Sequence, residues 1–314
     1  MIRLWSETPP AIFPPVLGLI SVALTWRLAG TRTALPAAPG EAAVGVAAAL
    51  VVVSALAYGA KVARRPGALA RDLGTLPGRI GLATLSMCVM LLGSALLPLG
   101  PAAAGLIWLG LGMHGALALA VLTRIAAGPA EGRRPAPDWH LVFVGPIVAT
   151  AALLRLGLAT PAGVIFALTL AAAAVIGALS LVDLARRSVP APLRPLLAIH
   201  LSPVSLLAGA ALLLGHRGLG VALALGALVL LAVLLARLPW LIAAGFSPFW
   251  GAFTFPLSAF AGMLLILTRE VPAARLAFAP ALAAATLVSA FVAVAVLRRW
   301  ARGELAAGTG AARA

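Results

Sequence analysis

Eight acids, four histidines, one cysteine and a phenylalanine in a broken apolar run are the side chains of this 314-residue sequence that could carry chemistry. The acids are Glu7, Glu41, Asp72, Glu131, Asp138, Asp183, Glu270 and Glu304, and every one lies in a loop or near the end of an apolar segment. No pair of them sits where general acid–base work could be done inside an apolar interior. There is no phosphate-cradling glycine loop, no HExxH zinc motif and no nucleophile elbow. The chain is therefore not expected to be an enzyme. His114 and His200 fall within apolar segments, where a buried pair could ligate haem or a metal. No acid supports them, so hydrogen bonding between helices is the expectation, with no cofactor and no metal. His140 and His216 lie at segment boundaries and are expected to be solvated. Cys88 stands alone in an apolar run and reads as a small core residue.

Phe255 lies in the run Gly251–Gly262, which Pro256 breaks. On a helical wheel at about 100° per residue, Phe249, Phe253 and Phe260 share one face. Phe255 points the other way, among Gly251, Ser258, Ala259 and Gly262. A single large ring on a small-residue stripe could obstruct a narrow conduit, or it could fill a gap between two helices. Phe253 takes its place if the register is shifted by one face.

The elements that would hold these residues are membrane helices. Of the residues, 63% are hydrophobic and 10% charged, against about 25% charged in a soluble domain. Ten stretches reach the roughly 20 apolar residues a span needs: 11–28, 42–60, 80–99, 102–123, 141–157, 161–183, 196–214, 219–238, 249–268 and 276–297. Pro14 and Pro15 interrupt the first and no small-residue cleavage site follows, so it reads as a retained helix and not a signal peptide. One transmembrane domain covers 1–314. An even count puts both termini on one side. That side collects 17 of the Lys and Arg residues, counting Arg3, Arg133, Arg134 and Arg313, and the other side collects 6. The positive-inside rule then places both termini in the cytoplasm of a multi-pass cell-membrane protein. The net charge of +15 is a topology signal. It lies in short loops without a folded basic domain, which excludes nucleic acid as partner. The basic linker 61–79 is expected on the cytoplasmic surface, against anionic lipid.

Prolines alternate with the spans. Pro14 and Pro15, Pro146, Pro203 and Pro256 fall inside the first, fifth, seventh and ninth, and the third has none until Pro98. Even spans carry proline only near their ends, at Pro161, Pro239 and Pro280. Odd helices thus read as an inner, kinked set and even helices as a straighter outer set. The odd set also carries small or hydroxyl residues at helical spacing: Gly18, Ser21 and Thr25; Gly81, Thr84 and Cys88; Gly145, Ala149 and Ala152; Ser202, Ser205 and Gly209; Gly251, Ser258 and Gly262. Close helix packing would use the same residues. Together with the kinks at Pro15, Pro146, Pro203 and Pro256 they suggest a lined pathway. The spans hold no mid-membrane ionisable acid or base, which argues against a proton relay. A lining of dipoles, hydroxyls and apolar groups with a basic mouth would favour small anions.

Trp250-Gly-Ala-Phe-Thr-Phe-Pro256 resembles the ninth-helix motif of the tellurite-resistance/dicarboxylate transporter family, which includes the bacterial tellurite-resistance permease and the plant slow-type anion channels. Weaker likenesses are Phe143-Val-Gly-Pro146, Pro195 to Pro203, and Phe13 to Gly18. The resemblance spans nearly the whole chain. It implies five helical hairpins around a central pore, odd helices inside, in a homotrimer with one pore per protomer. It places on Phe255 the role of an occluding gate. The missing mid-span proline of the third helix departs from the family pattern. The long regulated tails of the plant channels are also missing, so kinase control is not expected and a prokaryotic protein is. The functional expectation is a gated channel for small anions. The alternative is a carrier or exporter for dicarboxylate, tellurite or sulfite, and a third class is a membrane haem or metal protein.

Overall fold

Proline placement divides the helices into two sets. The computed structural model describes residues 7–128 and 136–311. Arg3, Glu131, Arg133, Arg134 and Arg313, used in the charge count, lie outside the described residues. The protein is all-α. Its ten spans run Pro10–Arg32, Ala38–Arg64, Leu76–Leu99, Pro101–Ala127, Asp138–Arg155, Ala159–Arg186, Ala191–Leu213, Arg217–Ala236, Pro248–Leu267 and Ala274–Ala301. Each is long and apolar enough to cross a bilayer, and the chain is a multi-pass membrane protein.

The second, sixth, eighth and tenth spans are unbroken α-helices, and the fourth is α from Ala104 to Ala127. Most odd spans change helix type. The first opens with a 3-10 turn, Pro10–Ile12. The fifth is α over Asp138–Val144, 3-10 over Gly145–Ala149 and α again over Thr150–Arg155. The seventh begins with ten 3-10 residues, Ala191–His200. The ninth begins with Pro248–Trp250. The third is α throughout Leu76–Leu96, as its lack of an interior proline predicts, and turns 3-10 only at Leu97–Leu99 around Pro98. One expectation is corrected. Pro14 and Pro15 do not kink a helix interior. They occupy its first turn, where no N–H is missed.

Burial separates the two sets. Of each span's most apolar window, 67–83% is buried in the odd spans and 17–33% in the even spans. The odd spans pack on one another in chain order, and the ninth packs back on the first, so they form a closed ring. Each even span lies outside its hairpin partner and also touches the next odd span, the tenth closing onto the first. Hydrogen bonds pin this closure. Trp26 Nε1 donates to Thr286 Oγ1 at 3.0 Å, and Trp300 Nε1 donates to Thr8 Oγ1 at 3.2 Å.

The linker 61–79 is also corrected. It is not simply a surface strap. Lys61 Nζ donates to Asp72 Oδ2 at 2.8 Å and Tyr58 Oη to the same oxygen at 3.1 Å, with Lys61 and Asp72 both fully buried. The second helix runs on to Arg64, and the short helix Gly67–Leu73 folds back beneath it. Tyr58 lies edge-on to Phe13 at 5.9 Å, which ties this lock to the first span. Thr75 then caps the third span, accepting from Gly78 N at 3.1 Å. Asp72→Asn or Lys61→Met alone leaves a buried charge uncompensated and should cost about 3–5 kcal/mol. Lys61→Met combined with Asp72→Leu should cost less than either, as read by thermal unfolding in detergent.

Candidate functional site: two cavities along the odd spans

The ninth span sorts its side chains by face. Ala252, Phe255, Pro256, Ala259, Gly262, Met263 and Ile266 follow the three-and-four spacing of one face and line cavities. Phe260, on another face, joins Phe278 and Leu282 in a separate apolar cluster. Phe253 is half-buried, edge-on to Trp250 at 5.8 Å, and lines neither cavity described below. The wheel misplaced Phe249. It lies in the 3-10 turn Pro248–Trp250, where three residues make a turn, and it lines the same cavity as Phe255.

The inner cavity, ≈250 Å³, opens at the end that carries both termini. Pro77, Pro192, Ser247, Gly308 and Thr309 line its mouth, and Leu17, Thr84, Leu141, Ile199 and Phe255 its deep end. The outer cavity, ≈180 Å³, is lined by residues of all five odd spans, among them Ser21, Thr25, Leu91, Thr150, Ser205, Ser258 and Gly262. Along every odd span the inner lining precedes the outer lining in sequence. The wall between them runs from Leu17 to Ser21, Thr84 to Leu91, Leu141 to Ile147, Ile199 to Ser205 and, thinnest, Pro256 to Ser258. That is a layer roughly 3–11 Å thick at 1.5 Å per residue. Phe255, 4% exposed, stands at its inner surface.

Of the expected residues, Thr84, Gly251 and Pro256 join Phe255 in the inner lining, and Ser21, Ser205, Ser258 and Gly262 line the outer cavity. Others serve the packing that shapes it. A side chain at Gly18 would collide with Thr254, whose hydroxyl reaches Pro14 O at 3.2 Å. Gly251 lies against Pro14 and Pro15. Ser258 Oγ donates to Ser21 Oγ at 2.7 Å, joining the ninth span to the first inside the ring. Ala149 and Pro203 are buried, and neither lines a cavity described here.

Two of the carbonyls left by the prolines find side-chain partners. Pro203 cannot reach Ile199 O, and Ser202 Oγ donates to that oxygen at 2.8 Å. Pro146 cannot reach Val142 O, and His114 Nε2 donates to it at 2.9 Å from the fourth span. His114 therefore carries its proton on Nε2, and its Nδ1 accepts from Ser86 Oγ at 2.8 Å. The ring seats against Gly145, where a Cβ would strike it. His114 joins three spans by hydrogen bonds, as its isolation from acids suggested. The expectation for His140 is corrected. It is 4% exposed and meets His200 edge-on at 4.9 Å. The fifth span begins at Asp138, before the hydropathy rises, and carries His140 inside. His216 is exposed and stacks on Phe166.

Among the described residues, no acid or base lines either cavity. Most lining hydroxyls are committed to their own helix: Thr84 to Ile80 O, Thr25 to Ser21 O and Ser205 to Leu201 O. Ser21 Oγ accepts from Ser258, and among the described residues Ser247 Oγ at the inner mouth and Thr150 Oγ1 in the outer cavity are buried without a partner. Sequence reasoning missed Thr150 because it followed the small residues of the fifth span, and a threonine beside Ala149 and Ala152 carried no signal of its own. At the far end, Arg27 pairs with Glu41 and Arg217 with Glu270, each at 2.6 Å. Arg32 and Arg155 end the first and fifth spans and Arg269 follows the ninth by two residues, all without a carboxylate partner among the described residues, and the charges of Arg155 and Arg269 bear on Arg32.

A closed ring of buried spans, several of them broken, sleeved by exposed helices and enclosing cavities with no acid among the described residues, defines an all-α ten-span protein of the anion-transport class. The sequence profile of the voltage-dependent anion channel family matches residues 7–298, and the chain belongs to that family. It is the family that the ninth-helix motif resembles. No curated protein matches the chain.

His114→Ala would leave Val142 O without a partner in the apolar interior. It should lower stability by about 1–3 kcal/mol, read as a lowered unfolding temperature in detergent.

Proposed function

We propose that the chain is a gated channel for small inorganic anions, which pass from the inner to the outer cavity when the Phe255 ring leaves the layer between them. The observation that carries this reading is the register of the two cavities, which follow one another along all five odd spans with Phe255 at the division. The odd spans are then the pore wall and the even spans its sleeve against lipid. The protein sits in the cell membrane with both termini in the cytoplasm, as a homotrimer with one path per protomer.

The chemistry of the lining supports anions over cations. A cation would meet no carboxylate to replace its lost hydration. An anion would meet the free hydroxyls of Ser247 and Thr150. The unpaired Arg32, Arg155 and Arg269 raise anion concentration at the outer end, and the basic loops do so at the inner end. Hydroxyl contacts are weak, and a conduction path needs sites that an ion can leave.

Phe255→Ala should raise anion conductance in proteoliposomes about tenfold or more, the effect of lowering a barrier by ~1.4 kcal/mol. The comparison uses chloride, nitrate and malate at equal protein incorporation. Unchanged current, or saturable exchange without current, would remove the gate and move the protein to the carrier class.

Arg32→Ala and Arg269→Ala should reduce anion current at ~0.01 M salt and have little effect at ~1 M, because the screening length falls from about 30 Å to about 3 Å. A deficit that persists at high salt would instead mean that these arginines shape the pore.

A further inference from the structure

Outside the two cavities, a groove of ≈550 Å³ opens between the sixth, seventh and eighth spans toward the end that carries the termini. Its walls are apolar: Ala173, Gly177 and Leu181 on the sixth span, Val204 on the seventh, Leu230 and Val233 on the eighth. Leu181 and Val233 are 70% and 53% exposed, so the groove faces the bilayer sideways. His140, Ser180, His200, Arg237 and Trp240 supply its polar end.

That end is a set of unsatisfied groups. Both nitrogens of His140, Nε2 of His200 and Oγ of Ser180 are buried with no partner among the described residues. His140 is 4% and Ser180 5% exposed. A polar group left unpaired in an apolar setting is costly, and four in one place call for an occupant. Two imidazoles without a third ligand do not make a metal centre, and the described residues hold no cluster of three metal-binding side chains. The occupant must accept hydrogen bonds from the His140 ring, the Ser180 hydroxyl and the unpaired Arg237 guanidinium. It must also donate one. His200 Nδ1 gives its proton to Leu197 O at 3.1 Å, so in the neutral ring Nε2 is an acceptor. It must have an apolar tail as well. From Leu230 to Trp240 the groove runs roughly 15 Å at 1.5 Å per residue, half of a ~30 Å hydrocarbon layer.

We infer that this groove binds an anionic phospholipid of the adjacent leaflet whose headgroup carries hydroxyls, phosphatidylglycerol being the simplest. The phosphate accepts from His140, Ser180 and Arg237, a headgroup hydroxyl donates to His200 Nε2, and one acyl chain fills the groove. Arg194, stacked on the Trp240 ring at 4.4 Å, holds the rim. The lipid lies behind the seventh span, whose Leu196, Ile199 and Ser205 line the two cavities.

The test incubates the detergent-purified full chain with phosphatidylglycerol, phosphatidylcholine or inorganic phosphate and counts bound molecules by native mass spectrometry. Phosphatidylglycerol should be retained about tenfold over phosphatidylcholine, because only its headgroup offers a hydroxyl to His200 Nε2 and it brings no choline cation beside Arg237. No protein atom lies within 4 Å of where a Gly177 side chain would begin, so Gly177→Trp fills the groove without a clash at its root. It should abolish retention with helicity and elution unchanged. His200→Phe keeps a ring but removes the acceptor for the headgroup hydroxyl, and should bring the two lipids towards equal retention. Equal retention by the unaltered protein, or phosphatidylglycerol binding indifferent to both substitutions, would overturn the proposal. Displacement of the lipid by inorganic phosphate alone would also overturn it, making the polar end a site for soluble anions.

Discussion

Inside a bilayer every backbone N–H and C=O must find a partner within the protein, and the rest of this structure depends on that constraint. An intact α-helix meets it alone. A helix broken by proline or by a 3-10 stretch does not, and can stay in the membrane only if other protein surrounds it. The even spans face outward and are mostly intact, although Pro280 falls inside the tenth, while the buried odd spans carry the interior breaks at the fifth and seventh and Pro256 in the ninth. The arrangement of inner ring and outer sleeve is thus a solution to hydrogen-bond accounting before it is a solution to transport. His114 shows how local the accounting is. A side chain on an outer span supplies the donor that Pro146 removed from an inner one.

The same accounting shapes the interior surface. Serines and threonines on the odd spans spend their protons on carbonyls one turn back, at Ile80, Leu201 and Ser21 among others. They stabilise irregular backbone and leave few strong donors toward the cavities. Charges go to the ends. The one fully buried ion pair, Lys61 with Asp72 among the described residues, lies under the second span, away from the cavity linings. The interior wall is consequently neutral, weakly polar and shaped mainly by apolar side chains.

Much of this could be read from the amino acids, for identifiable reasons. Hydropathy located the spans because a bilayer imposes a length. Proline alternation identified the inner set because proline acts on backbone chemistry irrespective of context. The wheel placed Phe255 toward the cavity side and Phe253 away from it because Gly251–Leu267 is a true α-helix, and it failed at Phe249 where the chain is 3-10. Features set by distant contacts were not readable. The burial of His140 depends on the seventh span's 3-10 segment, and that of Lys61 on the return of the helix Gly67–Leu73. Thr150 and the ends of the first, fifth and ninth spans gain meaning only when the ring brings them together.

The ring closes between segments far apart in the chain. Ser258 meets Ser21, Thr254 meets Pro14, Trp26 meets Thr286 and Trp300 meets Thr8. Synthesis proceeds from the N-terminus, so the first span must wait in the membrane for the ninth and tenth to be made. Until then its Gly18 notch and the Pro14 carbonyl face lipid or a provisional neighbour. Eight inserted spans would form an open crescent with a seam along one side. The ring is therefore completed only when the hairpin of the ninth and tenth spans docks onto the first.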